Sequence, residues 1–187
     1  GLRIIWHSNG SLNPKPLIEL LKYTDAVTID LKGFTEKFYS EVSSAELQPV
    51  LQTLKLIKER GVHLEIVNLI IPTFNDNPDD IRRMCVWIKD NLGPDTPLHF
   101  SRFSPAYKLT ALPLTPVETL EMAYNIAKEA GLNYVTIGNL PGHKYNSTFC
   151  PKCRKRLIYR MHFNVLENNL IEGKCKFCKQ NIPGIWQ

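Results

Sequence analysis

Four of the five cysteines in this chain fall into two short pairs, Cys150-Pro-Lys-Cys153 and Cys175-Lys-Phe-Cys178, with 21 residues between the pairs. Two Cys-x-x-Cys pairs at this separation carry the pattern of a tetrahedral zinc site with four thiolate ligands. In each pair the two-residue gap lets one tight turn aim both sulfurs at a single ion. The segment from Arg154 to Lys174 is long enough for a short β-hairpin that returns the second turn to the first. Two disulfides or four free thiols would use the same residues; without a secretion signal the spacing reads as a metal knuckle. With four protein ligands the ion keeps no open position, so the site is structural rather than catalytic. A zinc hydrolase is a poor reading on the same ground, and His143 and His162 are expected in a loop and on a strand surface, not as ligands. The fifth cysteine, Cys85, lies on the apolar face of a candidate helix and reads as an ordinary buried thiol.

A second set of polar residues stands where candidate strands end. The first strand runs into His7-Ser8-Asn9-Gly10, a turn able to present side-chain oxygens. In the second, Thr28, Asp30 and Lys32 share one face by the period of two, while Val27, Ile29 and Leu31 take the other. A carboxylate and an ammonium aimed together at a strand end can hold an amino acid's polar groups, a ribose hydroxyl, or each other. Asn68 in the apolar third strand and Arg102 after the fourth add polar groups to the same rim. In parallel α/β folds function collects at these C-terminal strand ends.

The elements that must position these residues alternate along the chain. Strands are predicted at Leu2–Trp6, Ala26–Leu31, His63–Ile71, Leu98–Phe103 and Tyr134–Ile137. Helices are predicted at Pro14–Tyr23, with Leu17, Leu20 and Leu21 on one face, and at Pro49–Arg60, stopped by Gly61. A third opens at Asn77-Pro78-Asp79-Asp80 and carries the stripe Ile81, Cys85, Ile88 and Leu92. A fourth opens at Thr115-Pro116-Val117-Glu118, a capping box, and ends at Gly131. Regular βα alternation argues for a parallel sheet with helices outside it. Residues 1–142 read as this α/β domain, Asn139 to Ser147 as its hinge, and residues 143–187 as a zinc-ribbon-like four-cysteine module.

The chain has 187 residues with 43% apolar content, enough for one core plus an appendage. It has no apolar run near the ~18 residues needed to span a bilayer, and a cytoplasmic protein without membrane contact is expected. From residue 143 onward nine Lys/Arg face only Glu167 and Glu172, a net of +7, whereas residues 1–142 carry −2. A basic zinc module can bind phosphates; it can equally be a solvated surface around four thiolates, so nucleic acid is not the favoured partner.

In order, Ser8-Asn9-Gly10, Asp25-Ala-Val-Thr-Ile-Asp30-Leu-Lys32-Gly-Phe34 and Ile70-Ile71-Pro72-Thr-Phe-Asn75-Asp76 resemble the radical S-adenosylmethionine (SAM) enzymes related to pyruvate formate-lyase-activating enzyme. His99-Phe-Ser-Arg102-Phe103-Ser-Pro105-Ala-Tyr107-Lys108, Ile137-Gly138-Asn139 and Ile182-Pro183-Gly184-Ile185-Trp186 are similar to one branch, the radical SAM member of the AmmeMemoRadiSam system, which also ends in a four-cysteine knuckle. The resemblance implies a partial (β/α)6 barrel with SAM and a 4Fe–4S cluster at its C-terminal mouth. It implies that Ser8 and Asn9 lie near the methionine end of SAM. Asp30 and Lys32, with Thr28 beside them, would meet its amino-acid or ribose groups, and Asn68 and Arg102 would line the mouth. Reductive cleavage of SAM there yields a 5′-deoxyadenosyl radical that takes hydrogen from a substrate, often a glycine of a partner enzyme.

Two departures follow from the same resemblance. The family holds its cluster in a Cys-x3-Cys-x2-Cys loop, which these residues lack, and Val67 and Ser104 stand where relatives place Arg and His. The expectation is therefore a C-terminal fragment that begins near the third barrel strand, with zinc in this chain and SAM and the cluster in the intact parent. Alone it should be inactive, contain no catalytic residue, and self-associate through the exposed edge of its first strand. The alternative is a non-enzymatic zinc-knuckle module whose Arg154, Lys155 and Arg156 contact nucleic acid or protein.

Overall fold

The structure, a computed structural model, describes residues 1–162 and 164–186. Strands β1 (Ile5–Ser8), β2 (Ala26–Asp30), β3 (His63–Ile70), β4 (Leu98–Arg102) and β5 (Val135–Gly138) form one five-stranded parallel sheet in chain order. A sheet whose strands follow in sequence, each joined by a right-handed crossover, collects all its helices on one face. The residues obey that geometry. Val27, Ile29, Leu64, Ile66, Leu98, Phe100 and Ile137 alternate onto the helix side and are buried. Helices α1 (Pro14–Leu21), α3 (Leu47–Glu59), α4 (Pro78–Leu92) and α5 (Val117–Glu129) cover them with one contiguous core. Between β2 and α3 a single turn, α2 (Glu36–Phe38), continues into a π-helical turn at Tyr39–Ser43, which the periodicity had not marked.

Local chemistry explains most boundaries. Asn77 caps α4 by accepting from the backbone N–H groups of Asp79 and Asp80, with Pro78 at the first helical position. The stripe on that helix is Ile81, Met84, Cys85, Ile88 and Leu92. Burial pushes the Cys85 thiol up to about 12, as for an inert core cysteine.

Three expectations are corrected. The first strand starts at Ile5, not Leu2, because Asp25 captures the Ile4 N–H at 2.7 Å and Arg3 at 2.6 Å before pairing with β2 begins. On α1, Leu17 and Leu21 are buried but Leu20 is exposed. The capping box at Thr115 does not form: its hydroxyl donates to the Ile70 carbonyl at 2.7 Å and accepts from the Phe103 N–H at 2.9 Å. Thr115 is instead a fully buried clip between the ends of β3 and β4.

Residues beyond β5 form β6 (Thr148–Phe149), β7 (Arg156–Met161), β8 (Asn164–Asn168), β9 (Leu170–Ile171) and β10 (Lys174–Cys175), in a three-stranded and a two-stranded antiparallel sheet. The β7–β8 pair is the hairpin between the two cysteine pairs. The connection from β5 is packed rather than loose. Tyr145 stacks on Tyr124 of α5 with ring centroids 3.7 Å apart, and the His143 imidazole meets Glu121 at 3.1 Å. Among the described residues, no helix is long and apolar enough to cross a membrane.

Candidate functional site

The four knuckle cysteines converge. Cys150 Sγ lies 3.6 Å from Cys178 Sγ, Cys153 Sγ lies 3.7 Å from Cys175 Sγ, and all four sulfurs fall within 4.8 Å of one another. A disulfide needs about 2.05 Å, so these are not bonded pairs. Four thiolates about 2.3 Å from one tetrahedral ion stand about 3.8 Å apart, close to what is seen. The backbone N–H groups of Phe177 and Cys178 lie toward the Cys175 sulfur, and that of Gln180 toward the Cys178 sulfur. Such donors spread thiolate charge and fix the ligand rotamers. The group can hold a metal ion, and Leu157, Ile158, Ile182 and Tyr134 close around it.

At the C-terminal ends of β1 and β2, Asp30 sits between two nitrogen-bearing side chains. His7 Nε2 lies 2.9 Å from one carboxylate oxygen and Lys32 Nζ lies 2.9 Å from the other. Thr28 shares the open face, away from the buried Val27 and Ile29. Ser8 and Asn9 spend their side chains on their own turn, accepting from the N–H groups of Gly10 and Ser11. Gly10 has φ +77°, and a Cβ there would stand 2.8 Å from Ile29 and 2.9 Å from Val50, so only glycine lets the turn press against the core.

One of the residues expected at this rim is placed otherwise. Asn68 is buried on the helix side of β3, donating to the Leu31 carbonyl at 2.7 Å and touching Met84; it does not line the mouth. Its position is even in the strand, so it shares the face of Ile66 and Ile70. Arg102 is half-buried and donates through Nε to the Thr115 carbonyl at 2.8 Å. Asn75, quoted from the sequence within a resemblance motif but given no role there, ties the rim together: it donates to the carbonyls of Lys32 and Leu69 and accepts from the Ile71 N–H.

The open face also carries a group that lies in the N-terminal half of the strands. His63 Nε2 lies 3.1 Å and His99 Nε2 lies 2.9 Å from the two oxygens of Glu65, and His99 Nδ1 lies 2.6 Å from Thr136 Oγ1. A carboxylate only accepts, so both imidazoles present N–H at Nε2. These bonds, from His63 and then His99, hold the Glu65 carboxyl well below the ordinary carboxylate range. The group floors a cleft of about 1170 Å³ whose opposite wall is the metal module: Ile158 and Arg160 of β7, then Ile182, Pro183 and Trp186. Spacing hinted at it, since His63 and Glu65 share a strand face by the period of two, but only pairing β3 with β4 brings His99 alongside.

No protein-family profile matches the chain. It is 49% identical over 184 residues to an uncharacterized protein of Methanocaldococcus jannaschii, covering 97% of this chain and 54% of that protein. It is 31% identical over 72 residues to the pyruvate formate-lyase-activating enzyme of Clostridium pasteurianum, covering 38% of this chain and 30% of that one. The chain thus spans about half or less of the curated relatives it matches. Among solved structures, a domain of pyruvate-formate lyase-activating enzyme from Bacteroides vulgatus superposes with a TM-score of 0.61 at 16% identity, over 72% of this chain and 80% of that one. A radical SAM methyltransferase from Sphaerobacter thermophilus superposes with a TM-score of 0.58 at 12% identity, over 72% of this chain and 39% of that one. The fold is radical-SAM-like. Its five strands are the α/β architecture expected from the alternation, with the four-cysteine group appended.

Proposed function

We propose that this chain is the C-terminal part of a radical SAM enzyme of the activating-enzyme type, a partial (β/α)6 barrel that receives SAM at its C-terminal rim. What carries the reading is the likeness of the parallel sheet to an activating-enzyme domain. It is supported by Asp30, held by His7 and Lys32 at the rim where this fold class binds ligands. Asp30 and Lys32 would hold the polar groups of SAM, and the Ser8–Gly10 turn would border them. Bound beside a reduced 4Fe–4S cluster, SAM supplies the hydrogen-abstracting chemistry of the class.

The described residues do not fit the cluster itself. Cys85 is buried in the core, and the four knuckle sulfurs are drawn too closely together for anything larger than one ion. That ion is zinc in this reading, since four thiolates at tetrahedral spacing suit it and leave no open position. The substrate would be a protein segment or small molecule presented to the intact enzyme. The edge of β1, with Leu2, Ile4 and Ile5 exposed, is where two isolated chains would pair.

The test combines metal analysis with turnover. Anaerobic iron and sulfide should leave this chain with one zinc, no cluster absorbance and no 5′-deoxyadenosine from SAM and dithionite. SAM titrated into the chain should bind, and Asp30→Asn should weaken it. Iron in the knuckle, or 5′-deoxyadenosine from the isolated chain, would overturn the assignment.

A further inference from the structure

The floored cleft lies on the same sheet face as the rim just described and reaches Thr28 beside it, but it has its own logic. Its walls are mostly apolar, with Ile5, Ile158, Ile182 and Trp186 among the contributors. Arg3 and Asp25 also line it, paired with each other at 2.6 Å, and two further charges interrupt the walls. One is Glu65 on the floor, whose oxygens each accept one imidazole N–H and retain lone pairs toward the cleft. The other is Arg160 on the wall, anchored through Nη1 to Thr148 Oγ1 at 2.7 Å. Arg160 feels the Glu65 charge but makes no ion pair with it. Oppositely charged groups on facing walls of one cavity, held apart by packing, leave room between them for a molecule that carries both complementary charges. A simple anion would gain Arg160 but face Glu65, and a simple cation would meet the reverse.

We propose that this cleft binds a zwitterionic α-amino acid with an apolar side chain, its ammonium on Glu65, its carboxylate on Arg160 and its side chain against the isoleucines. The site is independent of the radical chemistry proposed above. It depends on the metal module, because one wall belongs to it. Trp186 folds back on the module, donating to the Ile182 carbonyl at 2.7 Å, and the Ile182 N–H bonds Gly173 in the turn that precedes Cys175. Metal occupancy and ligand binding are therefore linked through the tail.

The test removes each charge from the ligand and from the protein in turn. Phenylalanine, phenylalaninamide and 3-phenylpropanoate are titrated calorimetrically into the zinc-loaded chain. Phenylalanine should bind, and each singly charged analogue should bind about tenfold or more weakly, as for loss of one charged hydrogen bond. In Arg160→Gln, phenylalanine should fall to the level of phenylalaninamide, whose own affinity stays unchanged. In Glu65→Gln it should fall to the level of 3-phenylpropanoate. Arg156→Gln, which removes a pair with Glu167 outside the cleft, should change nothing. Equal binding of the three probes, no binding of any, or an Arg160→Gln variant that binds phenylalanine normally would overturn the proposal. The probe series requires no variant, so it decides even if a substitution unfolds the module.

Discussion

The two halves of the open sheet face spend their polar side chains differently. At the C-terminal ends the side chains mostly hold backbone: Ser8 and Asn9 brace their own turn, Asn75 clamps three backbone groups, and Thr115 clips β3 to β4. In the N-terminal half they hold one another, in the run His63, Glu65, His99, Thr136. The first pattern fixes loops in place around Asp30 and Lys32. The second keeps a charged group inside a largely apolar cleft, which is tolerable only because the group is internally satisfied. The metal module faces the second half across the cleft, whose lining also takes in Thr28, Gly138 and Asn139.

Removing the metal should separate the halves most sharply. Structural zinc supplies on the order of 10 kcal/mol or more to small metal folds, so Cys175→Ser should unfold residues beyond about 148 and open the cleft. The sheet and its helix-side core should persist, because that core contains none of the ligands. Zinc content and amide exchange by segment would check it. Loss of protection at β2 and β3 together with the module would mean the two regions fold as one.

Next in size are changes at the rim itself. Gly10→Val places a Cβ into Ile29 and Val50 at a φ of +77°, and should cost about 3 kcal/mol from overpacking and backbone strain. Thr115→Val keeps the volume but orphans the buried Ile70 carbonyl and Phe103 N–H, for about 2 kcal/mol. Chemical denaturation measures both. A near-neutral Thr115→Val would show that water reaches those groups and that the rim is looser than it looks.

In the cleft the expected effect is smaller and depends on pH. The folded Glu65 carboxyl lies below its ordinary value of 4.5, so its stabilisation is fully present above that value. It is lost as pH falls from there through the folded value. Glu65→Gln should cost about 1 kcal/mol at neutral pH, discounted because the side chain is 38% exposed. The gap between the wild type and the variant should narrow steadily below about pH 4.5. A gap that does not change with pH would show that the two histidines, rather than the carboxylate charge, stabilise the group.

Much of this comparison was open to reading in the sequence, and its limits have physical causes. The apolar period of two and the Pro, Asn and Gly punctuation located all five strands and the four long helices, because those signals are local. Cys-x-x-Cys spacing is equally local, so the convergent sulfurs were foreseeable. Thr115 misled because its neighbours spell a cap while its hydroxyl answers to β3, 45 residues earlier. Asn68 misled because a polar residue in an apolar strand suggests a site, whereas here it serves the Leu31 carbonyl. The cleft was hidden because it needs β3 beside β4 and the chain's tail folded across both, relations that no short window contains.

The smallest predicted stability effect asks the sharpest question of the rim. Lys32 and Asp30 are 40% and 23% exposed, and His7 remains as a second partner for the carboxylate. An ion pair in that setting contributes about 0.5 kcal/mol or less, so Lys32→Ala should move the melting temperature by no more than about 2 °C. An ammonium that can be removed so cheaply is not there to hold the fold, and its place at a strand end is then better explained by something it binds. SAM affinity measured on the same variant should fall several-fold while the melt barely changes. The opposite pairing, a large drop in melting temperature with unchanged SAM binding, would make Asp30–Lys32 a structural pair and leave the cleft as this face's candidate ligand site.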